Sequence, residues 1–225
     1  MPDESLQPRS SPIENFFPGY FALVMATGIV SLASFFLGIP VVPEMLFALN
    51  LIFYIVLWAI TLIRLLRYRS AFVSDLTHHA KGATFLTIVA ATSLIGVQFA
   101  NLTPFGWIGT WCWSLALVLW FALIYTFFTA VTVVEPKPSL ETGINGAWLL
   151  VPVATESLTV LGTVIASQTI APRLVLLTAF STYLLGAMLY ILFIALILYR
   201  WMFLSMQPEK LAPPYWILWE WLDAY

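Results

Sequence analysis

Apolar residues fill this chain in six long runs, separated by stretches where prolines, glycines and charges gather. The runs predict helices over residues 20–37, 45–65, 83–100, 108–134, 147–165 and 174–198. Each is at or near the ~20 residues that an α-helix needs to cross a hydrocarbon layer of about 30 Å. Backbone groups in lipid must bond within their own segment, and the runs lack the apolar-polar alternation of a barrel strand, so helices are the reading. The runs also restart in pairs at intervals of roughly 63 residues, near Phe21, Thr84, Trp148 and Pro213. Short connectors at 38–44, 101–107 and 166–173 follow the first, third and fifth runs. Connectors of that length make antiparallel hairpins. The predicted fold class is all-α: a polytopic membrane protein with six transmembrane helices arranged as three hairpin repeats.

Odd and even spans display different side chains. In the first span Thr27, Ser31, Ser34 and Gly38 fall three or four residues apart, within a narrow arc of one helix face. The third span repeats the stripe with Thr84, Thr87, Ala91 and Gln98, and the fifth with Pro152, Glu156, Thr159 and Thr163. Even spans carry bulk instead: Phe47, Phe53, Tyr54 and Trp58 in the second, Trp113, Trp120, Phe121, Tyr125, Phe127 and Phe128 in the fourth. Hydroxyls and amides are costly against lipid, so such a stripe meets either another helix or water. Two readings stay open. The stripes are packing faces, where small residues let backbones approach and hydroxyls bond across helices or to their own turn. Alternatively, odd helices ring a polar pathway while the bulky even helices wall it off from lipid.

Pro152 and Glu156 bear on that choice. A proline inside a helix removes one hydrogen bond and kinks the axis, freeing a carbonyl near Val151 or at Trp148 for an ion or a neighbouring helix. Glu156 is the only ionisable residue deep inside any span. An apolar setting disfavours a carboxylate's charged form, which makes the residue either a proton-coupling or selectivity group, or a neutral acid bonded to an adjacent helix.

Composition supports the membrane reading: 61% of residues are hydrophobic and 9% charged, with a mean hydropathy of +0.95, far from a soluble domain's balance. A formal charge of -2 gives no argument for a nucleic-acid partner. Cys112 is the lone cysteine, so no internal disulfide forms. Arg9, Arg64, Arg67, Arg69, Lys81, Lys137, Arg200 and Lys210 all fall on the side of the amino terminus and only Arg173 on the other, which predicts a cytoplasmic N-terminus in a cell membrane. The cluster Arg64, Arg67, Arg69 and Lys81 either draws anions toward a cytoplasmic mouth or serves topology and phospholipid contact. Trp107, Trp111, Trp148, Trp201 and Trp216 near span ends suit the headgroup zone. Asp75, His78 and His79 share one connector but are too few for a histidine-cluster metal box. No catalytic residues, metal ligands or cofactor motif stand out, so an enzyme is not expected.

The run from Asn15-Phe16-Phe17-Pro18-Gly19-Tyr20-Phe21 through Met25-Ala26-Thr27-Gly28-Ile29-Val30-Ser31 resembles the first-span signature of the tellurite-resistance/dicarboxylate transporter family. That family includes fungal malate permeases, sulfite efflux pumps and plant slow anion channels. Tyr125-Thr126-Phe127-Phe128-Thr129-Ala130, Gly143-Ile144-Asn145-Gly146-Ala147-Trp148 and Pro213-Pro214-Tyr215-Trp216-Ile217 are further similarities. The resemblance implies ten helices in five hairpins, odd ones around a central pore and even ones outside, usually as a homo-trimer in the lipid bilayer. It implies small anionic substrates, C4-dicarboxylates or inorganic anions, and no cofactor. It puts Thr27, Ser31, Thr87, Ala91, Pro152, Glu156 and Thr159 on the pore side. By this comparison residues 1–15 are a flexible cytoplasmic tail, 16–217 a transmembrane domain that is a partial copy of the family fold, and 218–225 an aberrant stub of a C-terminally truncated product. A non-transporting membrane interaction or sensory module is the alternative function.

Overall fold

A computed structural model describes residues 11–204. The six runs are six helices, Pro18–Phe36, Val42–Arg67, Gly82–Leu102, Trp107–Val133, Gly146–Gln168 and Pro172–Phe203, here spans 1 to 6. Among the described residues no strand occurs. The start points recur roughly 64 residues apart for odd spans and roughly 65 for even ones. The repeat extends to local geometry. Each odd span opens with a tight 3-10 segment, Pro18–Phe21, Gly82–Leu86 and Gly146–Leu149, before becoming α-helical. Even spans are single α-helices of 26, 27 and 32 residues. Prolines mark starts: Pro18, Pro43 and Pro172 each sit in a first turn, where the missing N–H would find no helical partner anyway.

Hairpin partners pack against each other, span 1 on 2, 3 on 4, and 5 on 6. Across hairpins, span 3 packs on spans 1 and 5, so the odd helices form a row with span 3 in its middle. Spans 2 and 4 also touch the odd helix of the next hairpin, spans 3 and 5 respectively. Even helices therefore lie over the seams of the odd row, and the protein has two layers. Burial follows: 83% of the apolar window of span 3 and 61% of span 5 is inside, against 17%, 22% and 28% for spans 2, 4 and 6. Span 1, at the end of the row, is 33% buried.

The even helices are outermost, but their aromatic bulk does not all face lipid. Trp113, Trp120 and Phe127 of span 4 are buried among Leu149, Leu158 and Leu161 of span 5. Tyr54 and Trp58 of span 2 close edge-on over Phe21. Branched chains such as Ile52, Ile55 and Val118 take the exposed side, together with Phe121 and Tyr125. Lipid tails are as apolar as leucine, so helix contact gains little desolvation and depends on dispersion and hydrogen bonds. Large flat rings wedged between helices maximise that contact.

Two expectations about span ends change. Pro152 lies in the first turn of the α-helical part, Leu150–Ile165, which starts only after the 3-10 segment, so it opens that helix rather than kinking its interior. Trp148 is buried, not interfacial: its Nε1 donates to His79 O at 3.0 Å and Gly143 O at 3.1 Å. Trp107 and Trp111 are exposed at the opposite end. Residues 218–225, read as a stub, and Trp216 lie outside the described residues.

Candidate functional site

The hydroxyl stripes of the odd helices serve three different seams. In span 1, Ser31 Oγ donates to Pro43 O of span 2 at 2.8 Å, and Ser34 Oγ to Val30 O at 2.8 Å. Thr27, half-buried, shares that face by its spacing. In span 3, Thr87 Oγ1 donates to Pro18 O at 3.1 Å and Thr84 O at 2.7 Å, joining the starts of spans 1 and 3. Ala91 is fully buried in the core that includes Phe21, Phe85 and Leu57. In span 5, Pro152 is buried, and Thr159 Oγ1 lies 2.9 Å from Thr182 Oγ1 and 3.1 Å from Ala179 O of span 6. Thr163 bonds its own turn at Val160 O, 2.9 Å. Of the seven residues expected on a pore side, the structure brings Glu156 and Thr159 together on the span 5–6 seam, and Thr87 and Ala91 together on span 3.

Glu156 stands apart from these satisfied groups. It sits near the midpoint of span 5 opposite Gly186, near the midpoint of span 6. A Cβ at position 186 would fall on the Glu156 carboxyl, with Cδ at 2.8 Å, so glycine lets the carboxyl rest there without being displaced. Glu156 Oε1 is buried and has no hydrogen-bond partner among the described residues. Along span 5 the carboxylate borders Val160, which is exposed, and Val153, which is half-buried. At 100° per residue, Val153 and Val160 point away from the face where Trp113 of span 4 donates to Leu158 O. Ala22, Ala26 and Ala33 of span 1 are exposed and opposed to the Ser31 face in the same way. On this side span 1 exposes Ala22, Ala26, Ala33, Ile29 and Phe36 and span 5 exposes Val160, an apolar and uncharged surface with Glu156 at its margin.

A set of cross-hairpin bonds escaped the sequence reading. Asn50 Nδ2 donates to Gln98 Oε1 at 2.7 Å, and the Tyr54 hydroxyl lies 2.8 Å from Thr92 Oγ1, tying span 2 to span 3. Trp120 Nε1 donates to Thr155 Oγ1 at 2.9 Å and Trp113 Nε1 to Leu158 O at 3.0 Å, tying span 4 to span 5. Asn50, an amide within an otherwise apolar span, was the available signal.

At the N-terminal side the charges are largely structural. Arg64, 2% exposed, pairs through Nη2 with Asp75 Oδ2 and donates from Nε to Glu14 O at 3.0 Å. Lys81 Nζ lies 3.0 Å from Asp75 Oδ1. Burial alone would raise the Asp75 carboxyl, but the hydrogen bonds from Arg64 and Lys81 outweigh it and hold the group below its ordinary value. Arg64 is consequently not free to draw anions, whereas Arg67 and Arg69 remain exposed. Residues 11–14, expected within a flexible tail, form a turn with Glu14 N on Ser11 O at 2.9 Å, and Glu14 is the residue Arg64 grips. Among the described residues no group of three metal-ligating side chains gathers.

The chain matches the family described as voltage-dependent anion channel over residues 15–219. Two uncharacterized transporters of Methanocaldococcus jannaschii are similar to it. One is 24% identical over 223 residues, covering 95% of this chain and 63% of its own length. The other is 23% identical over 216 residues, covering 92% and 62%. The chain therefore spans a little under two-thirds of the length of these relatives. No solved structure matches it.

Proposed function

The chain belongs to the voltage-dependent anion channel family, which its first-span signature resembles, and from that premise we propose that it carries small anions across the cell membrane. C4-dicarboxylates or small inorganic anions, as in tellurite-resistance transporters, are the substrate class. The N-terminus is cytoplasmic and the working form is a homo-oligomer, a trimer in this reading.

The two-layer order carries the proposal. Odd helices form a row screened on one side by even helices, and away from that screen Ala22, Ala26 and Ala33 of span 1 and Val153 and Val160 of span 5 offer a wall without fixed charge. Such a wall suits an ion that must bind weakly enough to leave. Thr87 ties span 3 to span 1, Ser31 and Thr159 fasten the row to spans 2 and 6, Ala91 and Pro152 are buried between helices, Thr27 shares the Ser31 face, and Glu156 lies nearest the path. Proteoliposomes holding the protein test this. Uptake of malate or chloride down a gradient, without accompanying potassium, is expected. Potassium uptake instead would overturn the substrate class, and a folded protein that passes neither ion would favour the interaction-module reading.

A further inference from the structure

We propose that Glu156, seated in the recess that Gly186 leaves in span 6, is a reversible proton-binding site in the middle of the membrane. Four observations carry it. Among the described spans, Glu156 is the only side chain of the Asp, Glu, His, Lys and Arg class away from the span ends. Its Oε1 is buried without a partner among the described residues, unlike the neighbouring hydroxyls of Thr155, Ser157 and Thr159, all of which are bonded. A carboxylate left this way forfeits solvation without recovering hydrogen bonds, and taking up a proton removes the charge that incurs the cost. Finally, the carboxyl occupies the space beside Gly186, so that a Cβ at 186 would have to displace it.

Among the described residues the surroundings offer no counter-charge. Span 6 presents Thr182 one turn to one side of Gly186 and Tyr190 one turn to the other, and its arginines, Arg173 and Arg200, stand at the two ends of the helix. Span 4 contributes Cys112, whose Cβ faces Gly96 of span 3. Span 3 holds no ionisable residue from Thr87 to Leu102. A proton is therefore the cation this site is built for: a metal ion would need several oxygen ligands.

The site borders the proposed path, so its state governs the path's charge. Deprotonated, Glu156 repels anions. Protonated, it is neutral and its O–H is a donor. This consequence rests on the transport reading, whereas proton binding itself does not. Two readouts separate them.

In membranes, dicyclohexylcarbodiimide partitions into lipid and adds to a protonated carboxyl. Peptide mass spectrometry is expected to find the adduct on Glu156, falling at least about tenfold as pH rises from about 5 to about 9, with none in Glu156→Gln. The protonated-carboxyl infrared band should titrate in parallel and vanish in Glu156→Gln. Gly186→Ala should shift the titration while Glu156→Gln keeps the fold. No adduct at Glu156, a pH-independent adduct, or protection by sodium at constant pH would overturn the proposal. Anion flux in the same vesicles should rise at acid pH in the wild type and lose that dependence in Glu156→Gln. Labelling that titrates without any flux would overturn the transport reading and leave the proton site standing.

Discussion

Arg64 and Glu156 are both ionisable groups withdrawn from solvent, and the protein treats them in opposite ways. Arg64 ends span 2 with an ion pair to Asp75 and a bond to Glu14 O, and Asp75 is shared with Lys81. Glu156 lies at mid-span, facing a glycine, with no ion pair and Oε1 unpartnered among the described residues, whereas Arg64 leaves only Nη1 unpartnered and keeps two other bonds. A charge that is to stay charged needs partners, because a low-dielectric setting makes each missing one expensive. A group without them is neutral for part of its working life. Arg64 is 2% exposed and Glu156 half-buried, so the contrast lies in their partners: ion-paired, the one is a structural lock, and without a counter-charge the other is a switchable group, which stability measurements should separate sharply.

The largest effect is expected at Asp75. Asp75→Ala strands the Arg64 guanidinium, 2% exposed, without its counter-ion, a change that costs about 3–5 kcal/mol when a buried pair is broken. The thermal midpoint in detergent should drop accordingly. Arg64→Met should cost less, since Asp75 keeps Lys81 and part of its solvent contact. The pH dependence has a definite sign. Asp75 is depressed in the folded state, so its contribution is complete above the unfolded value of about 3.9 and fades as pH falls through the folded value. Wild type minus Asp75→Ala should therefore be flat from neutral pH down to about 4 and shrink below it. A difference that grows on acidification would contradict the lock.

A middle-sized effect is expected where the layers are stitched. Trp120→Phe removes the donor to Thr155 Oγ1, yet that hydroxyl keeps its bond to Val151 O at 2.8 Å, so nothing is stranded. The loss should be about 1 kcal/mol, typical of one interhelical hydrogen bond plus a little ring area. A fall as large as that of Asp75→Ala would mean that the seam between spans 4 and 5, rather than the charged latch, holds the bundle.

What the sequence disclosed and what it hid follow the same physics. Length and hydropathy placed span 3 at 83–100, and the helix is Gly82–Leu102. They stopped span 6 at 198, where the charge of Arg200 looms, but the helix runs to Phe203 because Arg200 is buried and donates to Ile144 O at 2.9 Å. Hairpin order and the odd-even contrast were readable because they rest on connector length and residue size. Periodicity also grouped Thr27, Ser31 and Ser34 on one face. It could not say which neighbour that face meets, since a small hydroxyl stripe fits a helix seam and a wet path equally well. The burial of Trp148 was hidden for a related reason: its partners, His79 O and Gly143 O, come from two different connectors.

The smallest stability effect is expected at Glu156, and that is the sharpest use of the comparison. Glutamine has the shape of protonated glutamate and can sit in the Gly186 recess with an amide where the acid was. It removes no bond to Oε1, because that atom has none among the described residues. If the resting side chain is the neutral acid, Glu156→Gln should move the thermal midpoint by less than an amount corresponding to about 0.5 kcal/mol near neutral pH. It should stabilise the protein at alkaline pH, where the wild type must either ionise in an apolar seam or hold its proton against the bulk. A loss comparable to Asp75→Ala would show that the carboxylate is bonded in its charged form, and Glu156 would join Arg64 as a structural group.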